Sequence, residues 1–213
     1  MQPRFRSLGK TSQCAEVVSP IRLLCCALGL AVAVASNCQP AAAQDEPSSN
    51  QPNIALGAKY TLWPRPNYVH CTDPGDRTQL TDGKTTKNYF WTQKGTVGWR
   101  HAPYAVVTVD LGKVCPISGA AVTTAAGTAG VTWPEAVCVL VSKNSKEYRL
   151  AADLVDCYLR ANGNWPKGYA IVRLACHDLK TAGRYVRFVF VPEPGGPYIF
   201  TDEVEVFRGP DQL

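Results

Sequence analysis

Thr201-Asp202-Glu203-Val204-Glu205-Val206-Phe207-Arg208-Gly209, near the end of the chain, and Gln79-Leu80-Thr81-Asp82-Gly83, nearer its start, decide the fold. The late stretch opens with acids and then alternates apolar and polar residues, the period-two pattern of a strand with one buried face. The early stretch steps from apolar to polar into an Asp-Gly turn. If both belong to one compact domain, its first large loop and its last strand offer carboxylates to the same place. That predicts a closed β-sandwich stapled by a hard cation, and argues against a domain organised around a catalytic pocket.

Between these two segments the chain reads as strands. Ala105 to Leu111 alternates, with Val107, Val109 and Leu111 on one face. Ile117–Thr124, Val137–Ser142, Tyr169–Leu174, Tyr185–Val191 and Glu203–Phe207 are further runs rich in β-branched and aromatic residues. Clusters such as Asp73-Pro74-Gly75-Asp76, Ala126-Gly127-Thr128-Ala129-Gly130 and Pro194-Gly195-Gly196-Pro197 punctuate them. Helical period is confined to a short turn near Ala151–Leu159. Many short strands with turn-rich joins predict an all-β, antiparallel sandwich or barrel.

The N-terminal segment reads differently. Arg4, Arg6, Lys10 and Arg22 make a basic flank, Leu23–Ala35 is apolar but too short to span a bilayer, and Ala41-Ala42-Ala43 supplies small residues for cleavage. Residues 1–43 are expected to be a secretory signal peptide, 44–52 a disordered polar linker, and 53–209 one domain. The expected location is secreted or periplasmic. The chain has 22 basic and 17 acidic side chains; the leader holds four basic residues and Glu16, which leaves the remainder an excess of two positive charges. So small an excess, without basic runs, excludes nucleic acid as the expected partner, and no membrane span is expected. Past the leader stand Cys71, Cys115, Cys138, Cys157 and Cys176, with no Cys-x-x-Cys spacing for zinc. In an exported protein one or two disulfides would fit, and the pairing stays open.

Asn53-Ile54-Ala55, Leu80-Thr81-Asp82-Gly83, Val109-Asp110-Leu111-Gly112, Ile117-Ser118-Gly119, Val139-Leu140-Val141-Ser142, Gly183-Arg184-Tyr185-Val186-Arg187-Phe188 and Asp202-Glu203-Val204-Glu205-Val206 follow one another in a recognisable order. This ordered set resembles the discoidin family, the C-terminal type domain of coagulation factors, and its bacterial carbohydrate-binding relatives with the galactose-binding-like fold. The resemblance implies a jelly-roll sandwich of about eight strands that binds sugars, phospholipid head groups or proteins at loops on one end. It also implies a structural calcium ion on the Asp of the Asp-Gly turn, a nearby Thr and the Glu of the last strand. Those positions match Asp82 and Glu203, with Thr85 and Thr86 both candidates for the Thr; Thr86 is the one assigned. Trp91 is expected in the core, as an aromatic following the Asp-Gly loop.

For catalysis the inventory is thin. Gly83-Lys84-Thr85 resembles the end of a P-loop, but Thr78 stands where the upstream Gly is needed. There is no Gly-x-Ser-x-Gly elbow and no His-Glu-x-x-His helix. Glu203 and Glu205 share a strand face but are explained more simply as a metal ligand and a solvated charge. For binding, aromatics beside hydrogen-bonding groups are the useful residues, because sugar rings stack on flat faces while their hydroxyls take hydrogen bonds. Tyr68 and His70, then Trp99, Arg100 and His101, and Trp133 are the expected ligand contacts, with Trp165-Pro166 a further loop aromatic. One departure stands out: galactose-binding relatives place an Arg or Asn in the loop after the strand equivalent to Ile117–Thr124. Here Ala125–Gly130 carries neither.

The expected function is a non-catalytic module recognising a glycan or glycoconjugate. Protein interaction or adhesion is the alternative, and a glycoside hydrolase a weaker one.

Overall fold

The computed structural model describes residues 51–211. The expected signal peptide and most of the linker lie outside them. Among the described residues nine strands form: β1 (Lys59–Trp63), β2 (Val97–Arg100), β3 (Ala105–Ala126), β4 (Pro134–Ser142), β5 (Arg149–Asp153), β6 (Ala170–Cys176), β7 (Thr181–Pro192), β8 (Tyr198–Thr201) and β9 (Glu203–Arg208). All pairings are antiparallel. The strand β3 organises the fold. Its first half pairs with β1 and β7, and β7 continues to β4 and β5; its second half pairs with β6 and β9. The break comes between Asp110 and Cys115, where the register with β7 shifts and Gly112 turns with φ of 77°. One long strand thereby serves both layers, and β2–β8 adds a short ribbon. The antiparallel β-sandwich expected from the alternating runs is the fold observed, with one strand more than the expected eight.

Alternation explains what is buried. Val107 and Val109 of β3, Val137, Val139 and Val141 of β4, Val186, Phe188 and Phe190 of β7, and Val204 and Val206 of β9 all lie in one core. The second half of β3 is buried on both faces. Its other side carries a smaller cluster of Cys71, Phe90, Trp91, Ala125, Ala126, Val131 and Phe200. Trp91 is therefore a core residue, as expected. A helix, α1 (Leu154–Asn162), replaces the short turn expected near Ala151–Leu159. Asp153 caps its start by accepting from the Val155 N–H at 3.0 Å, and Gly163 ends it with φ of 79°. Among the described residues no helix is long and apolar enough to cross a membrane.

Candidate functional site

A groove of about 670 Å³ opens where the loop between β3 and β4 meets the loops before β6 and after β7. Its walls include Thr128, Thr132, Trp133, Glu135, Trp165 and Glu193. Trp133 and Trp165 stack with ring centroids 4.6 Å apart and planes 3° apart, and Tyr158 of α1 stacks behind Trp165 at 4.9 Å. The three rings form a stacked ladder, two of whose members, Trp133 and Trp165, line the groove. The carboxylates of Glu135 and Glu193 and the hydroxyls of Thr128 and Thr132 add hydrogen-bonding groups beside this flat apolar wall. No lysine or arginine lines it.

The other expected ligand residues fall elsewhere. Trp99 is fully buried, and its indole N–H donates to the Pro64 carbonyl at 2.7 Å. The expectation that it contacts ligand is corrected: strand β2 turns this ring into the core, so it offers no face to stack on. Tyr68 is half-buried, wedged edge-on between Tyr198 and Phe200 at 5.5 and 4.8 Å. His70 is exposed against the Tyr68 ring. Arg100 is exposed, while its backbone is clamped by Asn67, whose side chain accepts from the Arg100 N–H at 2.7 Å and donates to its carbonyl at 3.1 Å. His101, also exposed, donates its N–H to the Pro197 carbonyl at 2.7 Å. The loop after β7 therefore touches both groups: Pro197 meets His101, and Glu193 and Pro194 line the groove beside Trp133. A separate exposed pair, Trp63 and Tyr104 (56% and 40% exposed), lies at the ends of β1 and β3 with centroids 5.1 Å apart.

Sequence reasoning missed Tyr158, Glu135 and Glu193. Two Trp-Pro pairs, Trp133-Pro134 and Trp165-Pro166, are visible in the sequence, but nothing in their separation announces that the two rings stack.

The Asp-Gly loop and the start of β9, which carry the expected metal positions, come together. The Gly83 N–H donates to Glu203 Oε1 at 3.2 Å, and the Thr86 N–H donates to the Asp202 carboxylate. Asp82 accepts from the Lys84 N–H at 2.9 Å, and its second oxygen lies 3.5 Å from the Lys84 ammonium. The Thr86 hydroxyl shares a hydrogen bond with that of Thr96 at 3.2 Å. Asp202 was not expected here, yet it is fully buried beside Glu203. Burial, assisted by the charge of Asp82, pushes the Glu203 carboxyl up to about 8 and the Asp202 carboxyl up to about 6. Asp202 Oδ1, Glu203 Oε2 and Thr123 Oγ1 are buried without a hydrogen-bond partner, and Thr123 sits opposite Glu203 across the β3–β9 pair. Two adjacent buried carboxylates, each with one unpartnered oxygen, next to the charge of Asp82 offer the kind of oxygen donors a hard divalent cation takes. Among the described residues, however, no three His, Cys, Asp or Glu side chains group closely enough to hold a metal by themselves. A cation here would draw on carbonyl and hydroxyl oxygens as well.

No family model matches the chain, and no curated protein matches it. Among the solved structures that superpose on it, two serve as examples. A fucose-binding module of Streptococcus pneumoniae gives a TM-score of 0.50 at 18% identity, covering 76% of this chain and 98% of that one. The lectin domain of lectinolysin, complexed with Lewis B antigen, gives 0.51 at 18% identity, covering 75% and 98%. Both are carbohydrate-binding modules of the discoidin, galactose-binding-like type, and the fold of this chain is galactose-binding-like.

Proposed function

We propose that this chain is a non-catalytic glycan-binding module whose ligand lies in the groove walled by Trp133. The observation that carries this reading is the Trp133–Trp165–Tyr158 ladder facing Glu135, Glu193, Thr128 and Thr132. A sugar ring presents an apolar face to stack on an aromatic plane, and its hydroxyls then reach carboxylate and hydroxyl oxygens at the margin. Two carboxylates without a basic neighbour in the groove favour neutral or amino sugars over uronates and sulfated sugars. The likeness to a fucose-binding module and a Lewis B-binding lectin domain supports a glycan ligand. Of the residues expected from sequence, Trp133 provides the stacking face. His101 and Arg100 stand at the far side of the loop after β7, and Tyr68 and His70 behind them.

The engagements of Glu203 and Glu205 favour the non-catalytic reading over a hydrolase. Glu203 is buried against the Gly83 loop, and Glu205 is bound by the Arg173 guanidinium in a bidentate pair. Neither lines the groove beside Trp133, where a glycosidic bond would have to lie between two carboxylates.

A structural calcium held by Asp82, Glu203 and Thr86, with Asp202 joining them, belongs to the same proposal. When bound, it would neutralise the carboxylates that otherwise repel one another. Export after cleavage between Ala43 and Gln44 completes the reading, and N-terminal sequencing of the extracytoplasmic protein tests it.

The direct test is a glycan array with the purified protein. Binding to neutral or amino-sugar glycans that is lost in Trp133→Ala supports the proposal. Silence across the array, or binding indifferent to Trp133→Ala, overturns the groove as the site. Hydrolysis of a bound glycan would overturn the non-catalytic assignment.

A further inference from the structure

We infer that Cys157 of α1 and Cys176 at the end of β6 form a disulfide when the chain folds in the presence of a disulfide oxidant. Both cysteines are free thiols in this structure, and both are partly exposed. The Cys176 thiol stands near enough to that of Cys157 to act on its titration. The Arg160 guanidinium, held by Asp156 through a 3.0 Å hydrogen bond one turn away, lies close enough to feel both thiols. Helix α1 packs on β6, so the two backbones are already adjacent, and forming the bond asks for a rotation of side chains rather than a rearrangement of elements.

The remaining described cysteines have no such neighbour. Cys71 is fully buried with its thiol directed to the Tyr68 carbonyl at 3.8 Å, and Cys115 is buried with its thiol on the Lys113 carbonyl at 3.6 Å. Cys138 on β4 lies beside Asp153. The odd cysteine number that leaves the pairing open in the sequence thus resolves into one adjacent pair and three separate thiols.

The chemistry balances with one external disulfide, such as oxidised glutathione or the disulfide of a thiol oxidase. The Cys157 and Cys176 thiols together give up two protons and two electrons as the sulfur–sulfur bond forms, and the external disulfide is reduced to two thiols. Burial first, and the Cys176 thiol next to it second, push the Cys157 thiol up to about 12. In the folded protein little Cys157 thiolate exists to start exchange, so exchange is fastest while α1 docks on β6 and brings the two thiols together with the oxidant still within reach. The consequence is local. β6 pairs with β3 alone, and the bond would fasten α1, with Tyr158 next to Cys157, to this edge strand.

The test refolds the purified full chain in a glutathione redox buffer, alkylates free thiols under denaturing conditions, and maps peptides without reduction. A single cross-linked pair containing Cys157 and Cys176, lighter by two hydrogens, is expected. The oxidised protein should melt about 5 °C above the dithiothreitol-reduced one, because the bond closes a short loop in the unfolded chain. Cys157→Ser and Cys176→Ser should each abolish that difference. Alkylation of Cys157 and Cys176 after oxidative refolding, glutathione adducts on them, or a bond from either to another cysteine overturns the inference. The peptide map of the unsubstituted protein decides it even if a variant fails to fold.

Discussion

The Gly83 backbone N–H and Glu203 Oε1 meet at 3.2 Å across 120 positions of chain. With the Thr86 N–H bound to Asp202, the first large loop hangs from two successive buried carboxylates at the start of β9. Each of those carboxylates keeps one oxygen without a partner. A cation satisfying those oxygens would stabilise the folded state by mass action, because the unfolded chain does not assemble the site. Calcium in large excess over its dissociation constant should raise the melting temperature by about 5 °C, and a chelator should reverse it. Asp82→Asn and Glu203→Gln should each remove the calcium-dependent part while keeping the cation-free fold. The amide in Glu203→Gln can still accept from Gly83. A melting temperature indifferent to calcium and chelator would sink the cation reading.

Trp99 and Trp133 separate packing from binding. Trp99→Ala empties a fully buried position and leaves the Pro64 carbonyl without its donor, so it should cost about 3–5 kcal/mol in denaturant unfolding. Trp133→Ala removes a partly exposed ring from the ladder and should cost about 1 kcal/mol, while abolishing glycan binding. Comparable stability losses in the two variants, with glycan binding retained in Trp133→Ala, would reverse this assignment.

Sequence legibility followed the distance over which a residue acts. Alternation in β3, β4, β7 and β9 exposed the sandwich, because each strand's pattern reflects one face in the core. That the Asp-Gly loop reaches the start of the last strand was legible through the ordered set of motifs, although nothing in the sequence separates Asp202 from the strand that follows or marks it as the buried partner of the Thr86 amide. Trp99 defeats the sequence reading for a physical reason. Arg100 and His101 beside it are polar, and a tryptophan next to such residues reads equally well as facing solvent or as the inward residue of a short strand; the β2–β8 register decides it. The Trp133–Trp165–Tyr158 ladder joins two loops and a helix, and no local pattern encodes a contact of that kind.

Asp76 supplies a pH test away from the carboxylate cluster. It is buried, and burial pushes its carboxyl up to about 6 despite the Gln79 amide donating to it at 3.1 Å. A carboxyl raised in the folded state favours the protonated form. Its stabilising contribution is complete below the ordinary value of 3.8 and is lost as pH rises through about 6. Asp76→Asn stays neutral at every pH and can accept from Gln79 in the same way. The variant should melt with the unsubstituted protein near the low-pH end. It should exceed it by about 3 °C above neutrality, partial solvent screening having trimmed the full linkage effect. Parallel melting curves across this range, or a gap that opens toward acid, would contradict the burial argument.

Gly127 fixes how the two groove loops meet. Its φ is +93°, and a β-carbon there would stand 1.9 Å from the Gly168 carbonyl oxygen, so the backbones of the two loops touch at a point where any side chain would collide. Trp133 follows Gly127 by six positions and Trp165 precedes Gly168 by three, so the contact sets the separation at which their rings stack. Gly127→Ala must part the loops or distort both, at about 3 kcal/mol or more, and should weaken glycan binding with the loss of the ladder. Gly130 lies in the same loop with φ of +74°, but a β-carbon added there would meet nothing within 4 Å, so Gly130→Ala bears the backbone cost alone. That cost is about 1 kcal/mol, and binding should persist. Affinity measured beside unfolding free energy for the two variants decides the matter: equal loss of binding in both would mean that loop flexibility, rather than the Gly127–Gly168 contact, governs the groove.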